Sequence, residues 1–146
     1  MAKKKTNSFE DIILASIDII SQEIINDVKY PIVSSDVLAF DFDSQIHKEL
    51  DEKEDWANIK IEMSIKPKLA KDKRTRAEAK FTIEYLFIVP NLKQFLSIDT
   101  RGTISMNADL DQWLMQCTAS TSRGLVFEKV NGTFLEGIIL PLLLPI

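Results

Sequence analysis

Apolar positions along this chain follow two different periods. Late in the sequence, Leu110, Trp113, Leu114, Cys117, Thr121, Leu125 and Val130 recur at helical spacing within NADLDQWLMQCTASTSRGLVFEKV. Acids fall early in that run and Lys129 falls late, as a helix dipole favours. Asp109 with Gln112 three residues on reads as a capping box, and Asn131-Gly132 as the stop, with Gly132 at the C′ position. In the middle of the chain the period is two. Ile59, Ile61, Met63 and Ile65 alternate with Lys60, Glu62 and Ser64, which describes a strand with one buried face. From Ala77 to Val89, the residues Ala79, Phe81, Ile83, Tyr85, Phe87 and Val89 share one face, opposite Glu78, Lys80, Thr82 and Glu84. Leu86 and Ile88 make the end of the second face apolar as well, so that end is expected to be covered on both sides.

Other stretches are shorter or ambiguous. Val37 to Asp43 reads as a short strand, with Leu38, Phe40 and Phe42 on one face and Asp41 and Asp43 on the other. Ser44 to Asp55 reads as an acidic turn region, Ala70 to Arg76 as a charged turn, and Val28 to Ser35, with Pro31, as a connection. NLKQFL is a short helix candidate, and Ile98 to Met106 a loop around Gly102. Phe9 to Asp27 supports two readings. Ile13, Ile17, Ile20 and Ile24 fit a helical stripe, and Ser8 with Asp11 resembles a helix start, yet the richness in β-branched isoleucine favours a strand. After Gly132 the tail TFLEGIILPLLLPI is apolar and carries no charge beyond Glu136. It is too short to span a bilayer, so no direct membrane insertion is expected; it should lie across its own sheet or a partner. Strands first and helix last describe an α+β fold: a four-stranded antiparallel sheet, with a long C-terminal helix packed on one face. The other face is left for solvent or for association.

Composition narrows the function classes. A chain of 146 residues, 45% hydrophobic and 27% charged, suits a single soluble globular domain, with residues 1–8 a frayed basic terminus. The net charge of −4 argues against a nucleic-acid partner. Lys3-Lys4-Lys5 is followed by polar residues rather than an apolar run, unlike a secretion signal. The lone Cys117 permits no intramolecular disulfide, which suits a reducing cytoplasm. A single histidine, His47, in a polar turn and a cysteine on an apolar stripe make no nucleophile–base arrangement. No zinc ligand set or phosphate cradle is present, so neither enzyme activity nor a cofactor is expected. Asp41 and Asp43 point to one strand face, about 7 Å apart along the strand, but have no polar partners for acid–base chemistry. Glu62, Glu78 and Glu84 read most simply as a solvated sheet face. Asn131-Gly132-Thr133 matches a glycosylation sequon, and the same residues explain a helix stop.

The order short strand, acidic gap and two long strands around a charged turn, from Asp36 to Val89, resembles the central portion of SecB, the bacterial protein-export chaperone. SRGLVFEKVNGTFLEGIILPLLLP, from Ser122 to Pro145, resembles the end of the SecB long helix, its G-T-F corner (Gly132, Thr133, Phe134) and the following Leu/Pro segment. In SecB that segment leads into a further short helix and a tail; the present sequence runs to Ile146. The resemblance implies that Ile12 to Asp27 is the first long strand. It further implies a homotetramer, built as a dimer of dimers, that holds unfolded or export-bound polypeptides in the bacterial cytoplasm without ATP. Clients would lie in apolar grooves formed by the helix, the crossover after the first strand and the sheet. Phe40, Phe42, Trp56, Phe87, Trp113, Leu142 and Leu144 could supply the groove side chains, although Trp113, with Leu114 and Cys117, reads most simply as core. SecB docks the export motor SecA through acidic residues on its sheet. Glu23 and Asp27 fall near such positions, with Glu78 and Glu84 close by, whereas Lys80 stands where an acid is wanted and weighs against coupling to SecA. Two alternatives remain: a SecB-fold adaptor dedicated to one partner, such as an antitoxin, and a non-chaperone α+β binding domain.

Overall fold

In a computed structural model, residues 9–70 and 73–141 are described. Four long strands make one antiparallel sheet: β1 (Ile13–Ile25), β2 (Val37–Asp51), β3 (Trp56–Leu69) and β4 (Glu78–Ile88), in the order β1-β4-β3-β2. The helix α1 (Ala108–Lys129) follows and lies on one face. The ambiguous first segment is therefore a strand, as its β-branched composition favoured.

Register explains the core. Across β3 and β4 the pairs Ala57–Phe87, Ile59–Tyr85, Ile61–Ile83, Met63–Phe81 and Ile65–Ala79 point to the same side. All ten side chains are buried there under α1. The alternate pairs, including Lys60–Glu84, Glu62–Thr82 and Ser64–Lys80, form the outer face. Outermost on β4, Leu86 and Ile88 are only half-buried, so that end is not closed on both sides. Pro67 on β3 lies beyond the last β3–β4 pair, where only β2 remains beside the strand and a missing N–H is tolerated.

Several expectations are corrected. The strand beginning at Val37 does not end at Asp43 but runs to Asp51, taking up most of the expected acidic turn. Its later inner positions include Ser44 and Lys48, so a half-solvated edge strand hides its alternation in polar residues. The turn that follows is tied by Asp51, whose Oδ1 accepts from the amides of Lys53 and Glu54, both at 3.0 Å. Ile98 to Met106 is not a loop throughout. β5 (Leu96–Ile98) and β6 (Ile104–Met106) pair as a small hairpin, closed by Gly102 at φ 78° and by Asp99 accepting from the amides of Arg101 and Thr103. The short helix candidate forms a 3-10 turn over Leu92–Phe95.

The helix cap lies two residues earlier than expected. Asn107 Oδ1 accepts from the amides of Asp109 and Leu110, so Asn107 is the N-cap and the Asp109–Gln112 capping box does not form. The helix is also rotated. Its buried residues are Leu110, Leu114, Thr118, Ala119, Ser122 and Val126, while Trp113, Cys117, Thr121 and Leu125 are only half-buried. The small Thr118, Ala119 and Ser122 thus lie on the side of the helix turned to the core. At the far end Val130 is the C-cap, and Gly132 takes a left-handed φ of 79° two residues later. The Thr133 hydroxyl donates to the Val130 carbonyl at 2.6 Å and turns the chain. Phe134, Leu135, Ile138 and Leu140 then fold back into the core, so the tail covers its own sheet and helix up to residue 141.

Candidate functional site

The connection from β1 to β2 crosses one end of the sheet, and its shape comes from two adjacent side chains. Asn26 imitates a strand neighbour: its Nδ2 donates to the Ile32 carbonyl at 2.8 Å and its Oδ1 accepts from the Ile32 amide at 3.0 Å. Asp27 Oδ1 accepts from the amides of Lys29 and Tyr30, and its Oδ2 accepts from the amide of Arg76 at 3.0 Å. These amide bonds, the one to Arg76 foremost, hold the Asp27 carboxyl below its ordinary value of 3.8. The crossover is thus tied to the segment entering β4. Ile32 is drawn inward, whereas Val28 (95% exposed), Tyr30 (67%), Val33 (60%) and Leu38 (71%) are left outside. Leu38 is out because the β2–β3 register shifts between Val37 and Ala39, which removes it from the face shared by Phe40 and Phe42. The expectation that Leu38 shares one face with them is corrected accordingly.

Beneath this crossover lies an open cleft of about 610 Å³, walled by Tyr30, Pro31, Ile32, Leu38, Leu69 and Arg74 among others. A second hollow of about 840 Å³ lies on the other side of Tyr30, along Ile25 to Lys29 and Arg74 to Arg76. Tyr30 therefore stands between two hollows, with the Lys29 ammonium 5.4 Å from its ring centroid.

The residues singled out for polypeptide binding do not form one surface. Phe40 and Phe42 are half-buried on the helix side of β2, at its crossover end. Trp56 pairs with Ile88 on the opposite face. Phe87 is fully buried, its ring 6.4 Å from that of Trp113, which also packs on Phe9. Leu142 and Leu144 lie outside the described residues. Val28, Tyr30 and Val33 were missed because a loop has no period to betray them, and Leu38 because the register shift breaks the period of its strand. The available signal was a tyrosine and two valines placed between Asp27 and Asp36, where no alternation could bury them.

Of the acidic set, Glu23, Glu78 and Glu84 share the outer face, and Asp27 does not. Glu23 sits across from Lys80 in the β1–β4 register, and Glu78 pairs with Lys80 at 3.6 Å. Glu84 accepts from the Asn58 side chain and stands across from Lys60. Asp27 is buried, with both carboxylate oxygens engaged by the backbone. Asp41 pairs with Lys68 at 3.0 Å, and His47 lies on β2, 3.6 Å from Glu62, rather than in a turn. Among the described residues no group of three or more His, Cys, Asp or Glu could hold a metal ion, and no helix is long and apolar enough to cross a membrane.

No family model and no curated protein matches the sequence. The structure does match a solved one: the SecB-like chaperone Rv1957 of Mycobacterium tuberculosis, in complex with a ChAD peptide from the Rv1956 HigA1 antitoxin. The TM-score is 0.59 at 11% identity, covering 92% of each chain. The fold is SecB-like. The match extends over most of both chains, although few positions carry the same residue.

Proposed function

We propose that this protein is an ATP-independent chaperone that holds unfolded polypeptide segments on exposed apolar surface. The observation that carries the reading is the crossover: Val28, Tyr30 and Val33 are held out of the core by a hydrogen-bonded loop, and Leu38 beside them by the register shift at the start of β2. A flexible loop would collapse onto its own apolar groups; a clamped one keeps them available. A holdase gains binding energy from almost any apolar segment, at roughly 25 cal/mol per Å² buried, without reading its sequence. The SecB-like fold supports the same reading. On it the protein acts as a homotetramer, needs no cofactor, catalyses nothing and works in the bacterial cytoplasm, with extended clients reaching from the crossover toward Phe40 and Phe42. The acidic outer face, with Glu23, Glu78 and Glu84, is the surface where a motor such as SecA would dock; the interleaved Lys80 and Lys60 weaken it for that purpose.

Light-scattering mass, combined with fluorescence titration of a permanently unfolded polypeptide, tests this. A tetramer that binds the unfolded form and ignores the folded form of the same protein supports the reading. A tetramer that binds none of several unfolded clients sinks it.

The second reading is an adaptor dedicated to one partner, and it draws on the antitoxin peptide held by the structural neighbour. A pull-down from the native host that yields one stoichiometric protein favours the adaptor; a broad set of clients favours the general chaperone.

A further inference from the structure

The crossover cleft has a charge opposite to that of the chain. The whole sequence carries −4, yet Lys29, Arg74 and Arg76 gather around Tyr30 in the two hollows. The two acids on the same walls accept from the backbone, Asp27 from three amides and Asp36 from the amide of Val33 at 2.8 Å; they keep their charge, and Lys29, Lys73, Arg74 and Arg76 outnumber them. Among the described residues, the ion pairs within 4.0 Å are His47–Glu62, Lys48–Asp111, Lys68–Asp41 and Lys80–Glu78; none engages Lys29 or Arg74, while the Asp27 charge acts on Arg76 without a contact pair. Cations beside an exposed aromatic ring and exposed aliphatic groups thus form one mixed surface.

We infer that this cleft selects extended apolar segments that carry acidic side chains. The inference rests on the chaperone reading and narrows its client class. An apolar side chain of the client displaces water from Tyr30, Leu38 and Leu69. A carboxylate one or two residues away can accept two hydrogen bonds donated by a guanidinium. A lysine or arginine at the same place meets Lys29 and Arg74 and is repelled, which excludes basic segments as effectively as attraction favours acidic ones. The solvated position of these cations makes the preference sensitive to salt.

The test uses the full chain and two fluorescent peptides with one apolar core, flanked by glutamates in one and by lysines in the other. Anisotropy titration at low salt is expected to show the glutamate-flanked peptide binding about tenfold more tightly, with the gap closing as salt rises. The double reversal Lys29→Glu with Arg74→Glu should invert the order. Equal affinities, or tighter binding of the lysine-flanked peptide, overturn the inference while leaving the chaperone reading standing. An intact protein that binds neither peptide fails the chaperone reading itself, and the inference with it. Should the double reversal not fold, Arg74→Gln alone must narrow the gap; an unchanged gap overturns the assignment.

Discussion

Two regions of this molecule treat the same kind of side chain in opposite ways. Between the β3–β4 face and α1, ten alternating side chains are removed from water, and the residues that meet them from the helix are small or aliphatic. At the crossover, Val28, Tyr30, Val33 and Leu38 remain in solvent although a cleft lies beside them. The difference is one of hydrogen bonding rather than hydrophobicity. In the sheet, the ladder places every second residue toward the helix. In the crossover, Asn26 and Asp27 fix the backbone so that the apolar groups have nowhere to fold. Burial in the first region holds the protein together; exposure in the second leaves surface for something else to cover.

Changes on the buried side should have the largest effect. Leu114→Asp, or Ile83→Asp, places a charge where no water reaches and is expected to unfold the chain or lower its assembly state, at a cost exceeding about 4 kcal/mol. Thermal denaturation and light scattering check this, and an unchanged melting temperature and mass would show those side chains to be exposed. A smaller effect is expected at the buried hydroxyl contact in this layer. Tyr85 and Ser122 hydroxyls lie 2.6 Å apart, and burial pushes the phenol up to about 12. Ser122→Ala leaves the phenol without its partner and should cost about 1–3 kcal/mol in denaturant unfolding. Because the folded pKa is raised, this residue's contribution is fully present below its ordinary value of 10.0 and is lost as pH rises toward about 12. Tyr85→Phe should flatten that alkaline decline.

The crossover side of the comparison should respond differently. Asp27→Asn removes the acceptor for three amides and is expected to speed hydrogen exchange at Lys29, Tyr30 and Arg76, while amides of β3 and β4 stay protected. Its lowered pKa means the clamp is intact above the ordinary value of 3.8 and loosens only as pH falls below it. Uniform exchange across the chain would break the distinction between the two regions. The smallest stability change belongs to Tyr30→Ser, within about 0.5 kcal/mol in denaturant unfolding, since that ring is already in water. If the crossover binds clients, the same variant should weaken titration of an unfolded polypeptide several-fold.

What could be read from the amino acids alone followed the same division. β3 and the body of β4 were legible because their alternation is unbroken and one face is wholly buried. The later half of β2 was not, since Ser44, His47, Lys48 and Glu49 on an edge strand look like a turn until a neighbour is placed beside them. The hairpin at Leu96–Ile98 and Ile104–Met106 was too short to have a period. On α1, a stripe through Trp113, Cys117 and Leu125 outranked the row that is in fact innermost, because Thr118 and Ser122 are polar by type and buried by position. Phe40 and Phe42 could be placed on a shared face. Val28 to Ser35 was legible as a connection, but not which of its side chains stay outside, because that follows from side-chain bonds at Asn26 and Asp27.

The two stripes on α1 give the Tyr85–Ser122 contact a further meaning. A helix with neighbouring oily rows could settle on the sheet at either of two azimuths, since dispersion and burial discriminate poorly between adjacent rows. A hydroxyl pair is directional and unforgiving in a dry layer. It works as a detent: roll the cylinder by one row and both oxygens lose their partners at once. With the Lys48–Asp111 pair at the first turn, one serine thereby indexes the helix and leaves the row containing Trp113 and Cys117 at the half-buried margin of the core.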